Sequence, residues 1–308
     1  MFEDNLTIKE TKRVQKNRNP VLVVLAIIFL LIFPKLWLGD IFILKSINNI
    51  NAIKNLAPND RFILSMLYGT VISSLLMYIF AKKYLNRNNL SLGLSSPNKI
   101  KNYLKGALIG FVMISGVFLQ LKIYRQSQVS LNASNVPVGI FLVFFIGWII
   151  QGFNEELMCR SILMNYFAAV NGVKSAIITN SLIFAILHLG NDGFGIFPFV
   201  NIFLMGVIFS LLFYLSDDIF LPAAVHTFWN FAQANIYGIN VSGISQSNIS
   251  FIKTQLTGNP FLTGGAFGVE GGFITFWIEA IIVGVLLVGA KNKSKEEENK
   301  SKYKKTGL

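Results

Sequence analysis

Apolar residues gather along this chain in long runs separated by polar and basic stretches, rather than alternating with polar residues one by one. Eight runs can be read, over about 20 to 39, 62 to 81, 104 to 122, 136 to 155, 174 to 190, 196 to 215, 219 to 238 and 272 to 290. Each approaches the roughly twenty residues with which a helix crosses about 30 Å of hydrocarbon. The two-residue period of a membrane-barrel strand is absent. The pattern predicts an all-α protein, a polytopic transmembrane helical bundle of about eight spans. Beyond residue 155 the fourth run meets no Gly or Pro before Asn171-Gly172, so its helix should continue to about Phe167. Residues 1 to 103 read as an N-terminal tail with two helices and 104 to 290 as the core. Residues 291 to 308 read as a charged tail expected to be disordered.

Composition agrees with lipid as the solvent: 53% of residues are hydrophobic, 14% are charged, and Phe alone occurs 28 times, against about 25% charged residues in soluble domains. A net charge of +12 would suggest nucleic acid in a soluble protein. Here Lys and Arg occupy tails and loops, so the bilayer is the expected partner and nucleic acid is not. Five lie in the N-terminal tail, six in the 82 to 105 loop and seven after Ala290, against six across all stretches on the opposite side. Both termini are therefore expected in the cytoplasm. The first run is too long for a signal-peptide core and reads as a retained span. Cys159 is the single cysteine, which excludes an intramolecular disulfide. The loop from 239 to 271 contains "TGGAFGVEGG", whose glycines suggest tight turns near the membrane surface.

Against this background the sequence "NEELMCR", Asn154 to Arg160, places two carboxylates and a guanidinium on a lipid-immersed helix, where each unpaired charge costs about 3 kcal/mol. Glu156 and Arg160 are i and i+4 and can pair. Glu155 is rotated about 100° away and should face elsewhere, free to act as a general base. The plain structural alternative is a helix-packing salt bridge. Both histidines of the chain, His188 and His226, also fall inside apolar runs. A lone buried histidine is commonly a satisfied core residue, but intramembrane ionisable groups point to function. His226 and Asn230 share a helix face at i and i+4, suited to hold a metal or a water, to donate to an oxyanion, or to make an Asn-mediated helix contact. A glutamate and two histidines are sufficient to activate water, and also match a zinc site with an open position. The H-E-x-x-H spacing of soluble metalloproteases is absent.

Taken together these residues resemble the CAAX-protease and bacteriocin-processing proteins, also called Abi proteins. That family is marked by E-E-x-x-x-R, F-x-x-x-H and H-x-x-x-N, which here read "EELMCR" from Glu155, "FAILH" from Phe184 and "HTFWN" from His226. Each motif alone is weak; the ordered set on separate predicted helices is more specific, and it covers about 105 to 290. Where members often carry F-R-G, this chain has Cys159-Arg160-Ser161. The resemblance implies an intramembrane endopeptidase with Glu155 as general base and Glu156 and Arg160 as its structural pair. His188 would help to hold the water, and His226 and Asn230 would serve as ligands or oxyanion donors. It leaves open whether a divalent metal such as zinc, held by His188 and His226, takes part or whether none does.

The expected function is therefore hydrolysis of a peptide bond in a peptide or membrane-protein substrate near the cytoplasmic half of the bilayer. By resemblance its setting would be bacteriocin or peptide processing or self-immunity. The alternative is a non-catalytic membrane scaffold or immunity protein of the same fold that binds a partner protein. A proton-coupled transporter is disfavoured, since neither an inverted repeat nor paired broken helices can be read. One difficulty is depth: His188 would lie about 21 Å along its helix from residue 174 and His226 only about 10 Å along its own. Their meeting requires a fifth helix that is tilted or starts late.

Overall fold

The computed structural model describes residues 2 to 34 and 50 to 306. Its membrane helices are α2 (Pro20–Pro34), α3 (Pro58–Lys83), α4 (Lys99–Ile123), α5 (Val138–Asn171), α6 (Val173–Ile186), α7 (Ile196–Ser216), α8 (Phe220–Phe231) and α9 (Phe273–Thr306). They are preceded by α1 (Leu6–Val14), which Asn5 caps by accepting the Ile8 N–H. Among the described residues, five helices are long and apolar enough to cross a membrane. The other three predicted spans are shorter helices, and residues 35 to 39 of the first lie outside the described residues. The fourth run does continue as helix, to Asn171 rather than Phe167. It changes over Leu157–Met164 to the wider π pattern of i→i+5 bonding.

Small residues decide which helices touch. Gly106 and Gly110 of α4 lie so close to α8 that a Cβ on either would stand 2.3 Å from the Leu221 or Val225 carbonyl oxygen. This is the small-xxx-small contact of membrane helices, and it fixes α8 within van der Waals reach of α4. Gly152 does the same between α5 and α8, where a Cβ would meet Thr227 Oγ1 at 2.6 Å. Buried amides then pin register: Asn154 Nδ2 donates to the Thr70 carbonyl (3.2 Å), Ser73 Oγ (2.9 Å) and Ser74 Oγ (2.8 Å) of α3. Asn180 of α6 donates to Ser210 of α7 at 2.9 Å. In hydrocarbon no water competes for these donors, so their partners must come from the protein.

At the face rich in Lys and Arg, α1 packs inward with Asn5, Thr7, Ile8 and Thr11 fully buried. Asn5 donates to the Tyr214 carbonyl at 3.1 Å, and the Thr7 N–H donates to Asp217 at 3.1 Å. Arg87, buried in the 84 to 98 loop, donates to Gln15 Oε1 at 3.2 Å and to the Ser161 carbonyl of the π segment at 3.0 Å. The C-terminal stretch expected to be disordered is helical as far as Thr306. Two causes act together: its Lys- and Glu-rich sequence favours helix, and its first turns are tied down. Lys293 pairs with Asp217 at 2.6 Å, Glu297 with Lys9 at 2.7 Å, and Ser294 Oγ accepts the Glu3 N–H at 2.8 Å.

On the opposite face β1 (Ser127–Leu131) and β2 (Ile252–Leu256) form a two-stranded antiparallel ribbon with Ser127 opposite Leu256. Asp60, in the first turn of α3, accepts from Ser247 Oγ (2.7 Å), the Asn248 N–H (2.9 Å) and Asn248 Nδ2 (3.0 Å), which ties the loop before β2 to the bundle. The glycine-rich stretch forms the expected tight turns: Gly264, Gly265 and Gly268 have φ of +85°, +57° and +90°.

Candidate active site

α5 delivers both glutamates at its change from α to π winding, and α8 lies against it through the Gly152 contact. The two carboxylates diverge, as their helical spacing predicts. Glu156 and Arg160 are fully buried and meet at 2.9 Å. Arg160 also donates to the Gly206 carbonyl at 3.2 Å, and its guanidinium sits 4.6 Å from the Phe184 ring and 5.0 Å from the Phe209 ring. Such stacking favours Arg over Lys at this position. Glu155 instead lines an internal cavity of about 280 Å³, whose wall includes His188, His226 and Asn230 and does not include Glu156.

Two contacts were not legible in advance. The same Glu156 oxygen that takes Arg160 also accepts from His226 Nδ1 at 2.9 Å, so Glu156 orients the imidazole as well as the guanidinium. His226 stacks on Phe209 at 4.8 Å with 14° between the rings, and its Nε2 stands 3.7 Å from Glu155 Oε2. The second is Gln151, one turn before Glu155. Its amide donates to Glu155 Oε1 at 2.7 Å and accepts from Asn230 Nδ2 at 3.2 Å. Asn230 therefore has one N–H committed to this chain, Asn230 to Gln151 to Glu155, and one remaining. The sequence signal for Gln151 was its i−4 position to Glu155 in an otherwise apolar run. Glu270 of the glycine-rich stretch is a further wall residue, accepting from Trp229 Nε1 (3.1 Å) and Ser242 Oγ (2.9 Å).

His188 lines the same cavity from just beyond the end of α6. The 14 residues of that helix extend about 21 Å, less than the hydrocarbon thickness, and end at Ile186. The imidazole follows in a turn, with Nδ1 2.8 Å from the Phe184 carbonyl. That contact makes Nδ1 the protonated nitrogen and leaves Nε2 as an acceptor. The helix starts at Val173 rather than late, and both imidazoles nevertheless line the one cavity. The chemistry of two imidazoles and a carboxylate would suit zinc, but among the described residues no three His, Cys, Asp or Glu side chains gather closely enough to hold an ion.

These residues lie where comparison with known proteins finds its match. The family model of the Rce1-like type II CAAX prenyl endopeptidases matches residues 137–232, which contain all three motifs. The membrane-embedded CAAX protease MroQ of Staphylococcus aureus (strain USA300) is 30% identical over 179 residues, covering 52% of this chain and 68% of that protein. The chain belongs to the CAAX-protease and bacteriocin-processing family. It is accordingly a multi-pass membrane protein of a membrane-embedded protease family. No solved structure matches it. The matched segment runs from the start of α5 to the end of α8. The α3 wall of the cavity and the glycine-rich stretch with Glu270 lie outside it.

Proposed function

We propose that the protein is an intramembrane endopeptidase in which Glu155 activates the attacking water. The observation that carries this reading is the division of labour between adjacent carboxylates, Glu155 open to the cavity and Glu156 sealed against Arg160 and His226. A water oxygen placed beside both Glu155 Oε2 and His226 Nε2 lies within hydrogen-bond reach of each, since the two atoms are 3.7 Å apart.

Glu155 takes a proton from that water as its oxygen bonds to the peptide carbonyl carbon, and the carbonyl π electrons move to oxygen. The remaining Asn230 N–H donates to the oxyanion, and His226, held by Glu156 through Nδ1, keeps Nε2 beside the water. Protonated Glu155 then gives its proton to the amide nitrogen as the oxyanion's electron pair re-forms the carbonyl and the C–N bond breaks, leaving a carboxylic acid and an amine. Gln151 holds the Glu155 carboxylate in one orientation throughout, and His188 Nε2 accepts from water at the opposite wall. The substrate class is a peptide or membrane protein. The test is hydrolysis of a quenched-fluorescence peptide library by the purified full chain: Glu155→Gln should slow it at least about 100-fold. Cleavage at the wild-type rate by that variant would remove the proposed base.

A further inference from the structure

The residues lining the cavity are distributed unevenly through the thickness of the bundle. On α3, whose N-terminus lies opposite the Lys- and Arg-rich face, they are Phe62, Met66 and Thr70, about 6 to 18 Å from that end. At the far end of α6 they are Phe184 and, in the turn that follows, Leu187 and His188. Among the described residues none of the lining comes from residues 2 to 18 or from the 84 to 98 loop. Those segments instead close the basic face, with α1 buried and Arg87 bonded to both Gln15 and the π segment.

Away from the basic face the cavity meets a second depression of about 230 Å³, bordered by Asn59, Asp192 and Ser245 and sharing Phe62, Asn191 and Ile244 with it. Its rim is built for close approach. A Cβ on Gly243 (φ +84°) would stand 2.5 Å from the Asp192 carbonyl oxygen, and one on Gly193 (φ +73°) would stand 2.5 Å from the Phe267 nitrogen. Asn191 Nδ2 donates across the rim to the Ser242 carbonyl at 2.7 Å. Asp192 is exposed and is the charged side chain among the described lining of this vestibule, while the inner walls are made by apolar Leu31, Met66 and Met205.

We propose that this vestibule admits an extended peptide from the outer side of the membrane, with an apolar residue seated at Leu31, Met66 and Met205 and a basic residue against Asp192. The inference rests on the peptidase reading for its chemistry and on the distribution of Lys and Arg for its direction. From Asn59 to the level of Thr70 is eleven residues of α3, about 16 Å. An extended chain covers this in about five residues, which sets the separation between the basic residue and the cleaved bond.

Two measurements on the full chain test this. In intact cells, a membrane-impermeant biotin-maleimide should label Asn59→Cys and Ser245→Cys, and should label Lys16→Cys only after permeabilisation. Wild-type Cys159, fully buried, serves as the unlabelled control. In sealed proteoliposomes sorted by that labelling, a benzophenone peptide with an apolar centre and a lysine five residues away should cross-link when added at the vestibule side. It should exceed the glutamate analogue about two- to fivefold, the range of an exposed ion pair, and Asp192→Asn should remove the difference. Labelling of the vestibule cysteines only after permeabilisation, or cross-linking only from the basic face, overturns the proposal. Cross-linking from the vestibule side without cleavage by the wild type would leave the opening standing and remove the peptidase.

Discussion

Glu155 and Glu156 are neighbours in sequence with opposite environments, so the same substitution at each should have different consequences. In Glu155→Gln the new carboxamide keeps an oxygen to accept from Gln151, and the side chain, 16% exposed on the cavity wall, leaves no buried charge behind. Its stability should change by less than about 0.5 kcal/mol. Removing the base should slow cleavage about 10²- to 10⁴-fold, equivalent to about 2.7 to 5.4 kcal/mol on the barrier. Glu156→Gln strips the counter-ion from Arg160, which is fully buried, and breaking a buried pair from one side costs about 3 to 5 kcal/mol. That variant should melt several degrees lower in detergent and lose activity as His226 loses its support. The assay pairs thermal unfolding followed by tryptophan fluorescence with peptide cleavage at a temperature where both variants remain folded. If Glu156→Gln unfolds no earlier than wild type, or Glu155→Gln unfolds as early as Glu156→Gln, the assignment of one glutamate to chemistry and the other to structure is wrong.

Gln151→Leu should preserve the melting temperature within a degree or two yet lower kcat about tenfold with little change in KM. An unchanged kcat would make Gln151 a packing residue. Gly110→Ala forces a methyl toward the Val225 carbonyl, 2.3 Å from where it would sit, and should displace α8. A loss of both stability and cleavage is expected, whereas Gly139→Ala, with nothing within 4 Å, should be neutral in both assays. Prolonged chelation followed by zinc addition tests whether the two histidines work with an ion; the metal-independent steps above require activity to survive chelation unchanged. Glu10 is drawn down to about 2 by hydrogen bonds from Arg13 and Asn88, so its contribution to docking α1 is present above pH ~4.5 and lost as pH falls toward 2. Hydrogen exchange in α1 should accelerate across that window, and a flat profile would show that Glu10 does not hold the helix.

Several of these features could be read from the sequence because they depend on local periodicity. The apolar runs gave helices at each predicted span, and helical spacing alone separated the directions of Glu155 and Glu156. What escaped depends on contacts between segments far apart in the chain. Glu156 reaches His226 across 70 positions, and no periodicity within α5 could announce a second partner for a carboxylate already matched to Arg160. The π segment likewise has no one-dimensional signature, since its winding is held by the surrounding helices. The helical tail was misread because composition reports a polar stretch without reporting that Asp217, Lys9 and Glu3 stand ready to bind it. α1, which packs on the basic face with Thr7, Ile8 and Thr11 buried, is too short and polar to be recognised from periodicity as part of the packed structure.

The i to i+4 pairing of Glu156 with Arg160 also bears on how the protein enters the bilayer. α5 is synthesised before α7 and α8, so its charges meet lipid before His226 and the Gly206 carbonyl exist to receive them. Because the two ions are one turn apart on the same helix, the Glu156–Arg160 pair can partition as a neutral unit, sparing much of the roughly 3 kcal/mol that each would cost alone. The later helices then dock onto a pair already formed, and the most charged part of the site can be inserted first without waiting for the rest of its partners.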